Sequence, residues 1–196
     1  MTRLRDRPAP LILDGGWATE LQRRGLALGE PADAWNLSRP VDVLAVARSY
    51  VESGADVILT NTFQANPISL ARFGLADQAR GINVEGARLS RRAAAPGVLV
   101  FGSIGPAGLG HELDAYALQA RALADGGVDG IILETFGHVE EALLAVRAAR
   151  ESTLPIIASF YFDTASGEPL TPDGATPEEV ARAMAEEGVD AVGANC

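Results

Sequence analysis

The side chains in this sequence that can do chemistry fall at regular places. Asp14 precedes Gly15 and Gly16. Thr60-Asn61-Thr62 follow Val57-Ile58-Leu59, and Ser103 lies near the end of Val98–Gly105. Glu134 and Thr135 come late in Gly130–Phe136, Ser159 lies inside Ile156–Phe162, and Asn195-Cys196 close Ala191–Cys196. Carboxylates such as Asp14 and Glu134 hold cations or work as acid and base. Cys196 is the single cysteine. As a thiolate it is a nucleophile or metal ligand; as a thiol it is a small buried hydrophobe. Plainer uses exist for the others too. Asp14 can be a turn residue before two glycines. Thr60, Asn61 and Thr62 can be ordinary strand-end hydrogen bonders. Glu134 ends an apolar run, where a carboxylate is costly unless it is paired or faces a cleft. A hydrolytic acid–base pair would need a nucleophile that the sequence does not offer. The two histidines, His111 and His138, stand in loop or helix-start positions.

Those residues need elements to position them. Six apolar runs read as strands: Leu11–Gly15, Val57–Phe63, Val98–Gly105, Gly130–Phe136, Ile156–Phe162 and Ala191–Cys196. They are continuous rather than alternating, as in a parallel sheet buried on both faces. Helical spacing fills the gaps over Val41–Ser53, Gln78–Ala95, Ala115–Ala124, Val139–Arg150 and Pro177–Glu187. Thr176 reads as an N-cap, with Pro177 at the first helical position. A weak repeat, Gly54-Ala55-Asp56, Gly127-Val128-Asp129 and Gly188-Val189-Asp190, stands before the second, fourth and sixth runs. Each glycine suits a helix C′ position. Alternating βα units of roughly 30 residues suggest a doubly wound sheet or a (β/α)8 TIM barrel. No GxGxxG follows the first run, and polar residues crowd the strand ends, which in a barrel meet at one mouth. The expected fold is an α/β barrel, truncated after the sixth strand. Residues 1–10 read as an N-terminal extension and 11–196 as an incomplete barrel domain.

Composition narrows the partners. A net charge of −10 and a pI near 4.6 argue against nucleic acid and anionic membranes. All 16 basic residues are arginine. One cysteine excludes an internal disulfide framework and fits a reducing, cytoplasmic setting. No signal peptide is readable in MTRLRDRPAP, and no apolar run approaches the ~20 residues of a membrane span. An unclosed barrel exposes sheet edges, so a homo-oligomer is a partner to expect.

The strand ends also carry a resemblance. LILDGGWATELQRRG, TNTFQAN, GSIGP, LETF and GANC, in that order, resemble the homocysteine S-methyltransferase family. The resemblance implies a zinc-dependent (β/α)8 barrel that passes a methyl group to homocysteine, giving methionine. The donor would be a sulfonium or quaternary ammonium compound of the S-methylmethionine or betaine type. Zn²⁺ would be held by three cysteine thiolates, the first in a motif matched by Gly193-Ala194-Asn195-Cys196. The other two, an adjacent pair, have no counterpart here, since Cys196 is the sole cysteine. Such coordination would deprotonate a thiol whose pKa is ~8.5 in water. Asn195 would orient the cysteine. Asp14 and Glu134 would bind the homocysteine amine, with the Gly15 and Gly16 backbone close by and Thr60 and Asn61 at the barrel mouth. Trp35 would sit near the donor. Trp17 departs from the family pattern, where a smaller residue is commoner. With one thiolate, the chain alone is expected to be inactive. The alternatives are a non-catalytic truncated barrel that binds or needs a partner, and a phosphate-binding barrel enzyme.

Overall fold

The computed structural model describes residues 10–108, 113–165 and 167–196. His111 lies outside them. Five parallel strands form one sheet in the order β1-β2-β3-β4-β5: β1 Val57–Leu59, β2 Leu99–Ile104, β3 Gly130–Phe136, β4 Ile156–Phe160 and β5 Ala191–Ala194. Helices precede and separate them: α1 Trp17–Arg23, α2 Trp35–Ser38, α3 Pro40–Glu52, α4 Pro67–Ala71, α5 Ala79–Ala93, α6 Leu113–Gly126, α7 Val139–Ala149 and α8 Pro177–Glu186. The five long helices fall within two or three residues of the spacing expected from sequence. The capping at Thr176 is a full capping box with Glu179. Three short helices, α1, α2 and α4, have too few residues to show a period.

Alternate strand residues divide between two cores. Ile58, Val100, Ile131, Leu133 and Ala158 pack beneath the helices with Tyr116, Leu123, Val146 and Met184. Val57, Leu59, Phe101 and Ile132 pack on the opposite face. This two-sided burial explains why the runs are continuously apolar.

The Gly-x-Asp repeat has a structural meaning. Gly54, Gly127 and Gly188 all take positive φ at helix ends. The aspartate two residues later clamps the start of the neighbouring strand. Asp56, Asp129 and Asp190 accept the backbone N–H of Ile12, Val100 and Ile156 at 2.9, 2.8 and 3.0 Å. Their own N–H groups donate back to the carbonyls of the same residues. The clamp thus recurs at alternate strand junctions.

Two expectations change. Six strands were expected, and the described residues hold five. Leu11–Gly15 pairs with β1 only through a bridge at Leu13 and Val57. The reason is local. The Leu59 N–H that would extend the ladder donates to the Asp14 side chain instead, at 2.7 Å. The last run is also not buried. Val192, Gly193 and Ala194 are exposed, because β5 is an edge strand with β4 as its one sheet neighbour among the described residues. Truncation after a sixth strand is therefore not what the described residues show; they show a five-stranded parallel α/β sheet.

Candidate functional site

The C-terminal strand ends converge on two adjoining hollows of about 480 and 410 Å³. Gly15, Gly16, Leu59, Glu134 and Asn195 line both. Asp14 lines the first; Thr60, Asn61 and Cys196 line the second. Asp14, Gly15, Gly16, Thr60, Asn61, Glu134, Asn195 and Cys196 thus meet at one place, while Trp35 lines neither hollow.

Asp14 is held by Oδ2, which accepts from Leu59 N–H at 2.7 Å and from the Trp17 indole at 2.9 Å. Its Oδ1 is buried and has no partner. Burial pushes the Asp14 carboxyl up to about 6, the Glu134 charge adds to this, and the two hydrogen bonds oppose it. Glu134 is likewise raised by burial, while a hydrogen bond from Ser103 Oγ holds it down. No ion pair among the described residues involves either acid. Among the described residues, the site therefore presents two desolvated carboxylates and no protein cation to match them.

The polar run after β1 turns elsewhere. Asn61 Nδ2 donates to the Ala32 carbonyl at 2.8 Å and to Asn36 Oδ1 at 3.0 Å. Thr60 and Thr62 share a hydroxyl–hydroxyl bond of 2.5 Å. Thr60 Oγ1 also accepts from Ser103 N–H, and Thr62 Oγ1 donates to the Ser103 carbonyl. These groups tie the end of β1 to β2 and to the segment before α2. The two hydroxyls and the Asn61 amide N–H groups are used in shaping the wall.

Trp35 is buried, and the Arg39 guanidinium lies 4.0 Å from its ring centroid. That face is already occupied by a cation, so the indole does not stand open to a donor. Trp17 takes a part that sequence reasoning did not assign: it orients Asp14 and packs against Tyr50, with ring centroids 6.4 Å apart. It also lines a third hollow of about 360 Å³ with Phe63, Phe73, Asp33 and Glu30. Asp33 is 5% exposed, and burial lifts it to about 6. Its only sequence signal is an acid within an otherwise apolar helix start.

Comparisons with known proteins bear on this arrangement. Residues 11–196 match the family model described as homocysteine S-methyltransferase. The chain belongs to the homocysteine S-methyltransferase family. It is 30% identical over 213 residues to methionine synthase of Mycobacterium tuberculosis, covering 95% of this chain and 18% of that protein. It is also 30% identical over 202 residues to betaine–homocysteine S-methyltransferase 1 of Xenopus tropicalis, covering 95% of this chain and 48% of that one. The chain thus spans half or less of these curated relatives. Among solved structures it resembles the metallated homocysteine methyltransferase MmuM of Escherichia coli. The TM-score is 0.82 at 27% identity, with 98% of this chain and 76% of that one covered. A metallated relative invites a test of the donors here. No group of three or more His, Cys, Asp or Glu side chains is placed to hold a metal among the described residues. Cys196 offers one exposed thiol. One thiol is not a zinc donor set, which takes four ligands in a structural site or three with an open position in a catalytic one.

Proposed function

We propose that this family member binds homocysteine at the strand ends and serves its methylation to methionine. One observation carries the proposal: the buried, unpartnered Asp14 Oδ1 in a hollow shared with Glu134. A protonated amine seated there would satisfy both carboxylates, which otherwise remain desolvated and unpaired. Gly15 and Gly16 are exposed along the same wall; a Cβ on Gly15 would press on Tyr50, while Gly16 leaves its backbone open to close approach of a ligand. Thr60 and Asn61 support that wall through their bonds to the body of the fold.

The methyl donor in this proposal is a sulfonium or quaternary ammonium compound. The hollow that adjoins the cleft supports it, since Phe63, Phe73 and Trp17 are joined there by the buried Asp33 and the exposed Glu30, with Arg72 also in its lining. Aromatic faces attract a cation, and the two acids outnumber the one arginine. Zinc enters at the level of one proposed ligand, Cys196. Because the described residues hold no second thiolate, no step of the reaction is routed through the metal. For the chain taken alone, the same donor count favours binding without turnover. The non-catalytic reading thus keeps a specific observation behind it.

Calorimetry with L-homocysteine tests the proposal. The parent chain should bind it, and Glu134→Gln and Asp14→Asn should each weaken binding by about tenfold or more, the worth of a charged hydrogen bond. Equal affinity in both variants would make these acids structural.

A further inference from the structure

The Asn195 side chain has four hydrogen-bonding positions, two lone pairs and two N–H groups. All four are used. Its Oδ1 accepts from the Thr135 backbone N–H at 3.2 Å and from Ser159 Oγ at 2.7 Å. Its Nδ2 donates to Thr135 Oγ1 at 2.8 Å and to Cys196 Sγ at 3.3 Å. One carboxamide therefore joins the ends of β3 and β4 to the thiol that follows β5.

Thr135, which it grips twice, is strained. Its φ is 62°, in the left-handed region that a β-branched residue rarely enters. Such a conformation persists only where the surroundings over-determine it. The sheet does not do so, because the β3–β4 register shifts between Leu133 and Phe136. Glu134 and Thr135 thus stand outside the regular ladder. The reversal at Thr135 sets how Glu134 leaves the strand toward the hollow it shares with Asp14.

We infer that Asn195 is a positioning residue: it holds Thr135 in the left-handed conformation, so aims Glu134, and fixes the Cys196 thiol with the same amide. The acid end and the thiol end of the cleft are then set by one side chain. The consequence for substrate rests on homocysteine being the ligand, as proposed above; the geometric consequence does not.

Three variants of the 196-residue chain test this: Asn195→Ala, Thr135→Gly and the two together. Glycine adopts positive φ without strain, so it can hold the turn with no latch. The readouts are the backbone amide NMR signals of Glu134 and Phe136, the rate at which iodoacetamide alkylates Cys196, and homocysteine affinity by calorimetry. Asn195→Ala should shift both signals, alter the alkylation rate and weaken homocysteine binding about fivefold, the worth of one hydrogen bond. The double variant should match Thr135→Gly in both signals and recover most of the affinity but not the alkylation rate. If Asn195→Ala does not fold, Asn195→Leu, of similar shape but unable to make any of the four bonds, should act in the same direction. Unmoved signals in a folded Asn195 variant, or no match between the double variant and Thr135→Gly, would overturn the inference. Should the signals move and match in this way while even the parent fails to bind homocysteine, the positioning role stands and the substrate proposal falls.

Discussion

Leu59 donates its backbone N–H to Asp14 Oδ2 at 2.7 Å, where the next carbonyl of the ladder would otherwise accept it. That substitution ends the pairing of the first apolar run with β1. It also carries a carboxylate into the sheet's end, where Oδ1 is left buried without a partner. A departure from regular pairing thus creates the feature on which the proposed function rests.

The Asp14 carboxyl, pushed up to about 6, would give the proposed homocysteine binding a pH dependence. Only the ionised form attracts an amine. Affinity should therefore rise as pH climbs through about 6 and level off above it. At pH 5 it should be roughly tenfold weaker than at pH 7.5, because one pH unit below its pKa about a tenth of the acid is ionised. Calorimetry at the two pH values checks this, and a flat profile would remove Asp14 from the binding site.

Asp33 makes a stability prediction of definite sign. Its folded value of about 6 lies above its ordinary 3.8. Between these values the folded state keeps a proton that the unfolded chain has lost. The associated stability is full below about pH 3.8 and is lost as pH rises through about 6. Asp33→Asn leaves an oxygen able to accept the Gln64 N–H, which Asp33 Oδ1 now takes at 3.0 Å. The variant should exceed the parent in stability by roughly 3 kcal/mol at pH 8, with the gap closing toward pH 4. Urea unfolding at both pH values measures the difference.

Gly126, the last residue of α6, packs directly against α5. A Cβ there would lie 2.3 Å from Ala87 Cβ and 2.9 Å from the Val84 carbonyl oxygen. Backbone cannot yield as a flexible side chain does. Gly126→Ala should destabilise the fold by about 1–3 kcal/mol despite its better helix propensity. A thermal midpoint equal to the parent's would mean that the two helices slide apart freely.

The aspartate clamps can be tested at Asp129, which accepts both the Val100 N–H at 2.8 Å and Arg91 at 2.7 Å. Asp129→Ala leaves the Val100 amide without its acceptor. A loss of about 1–3 kcal/mol is expected, the cost of an unsatisfied buried donor. Hydrogen exchange should accelerate at Val100 first. Unchanged protection there would show that the clamp contributes nothing to the β2–β3 junction.

The sequence by itself determined the order of strand and helix, because apolar spacing of two kinds is a local property of the chain. The Gly-x-Asp sites and the Thr176 cap were legible for the same reason. So was the set of polar residues at the strand ends, which a parallel sheet must gather on one side. Five motifs in order pointed to the homocysteine S-methyltransferase family, to which the chain belongs. The partner of each polar atom was not legible. Asn61 looks like a site residue in sequence, yet its amide turns to Ala32 and Asn36, 29 and 25 residues away. Trp35 looks open to a donor, yet Arg39 covers it. Thr135 carries no mark of its left-handed backbone, which depends on Asn195, 60 residues later. A hydrogen bond across such separations forms only after the sheet has set its register. Tertiary structure therefore decided which strand-end groups stay free for a ligand and which are consumed in holding the site together.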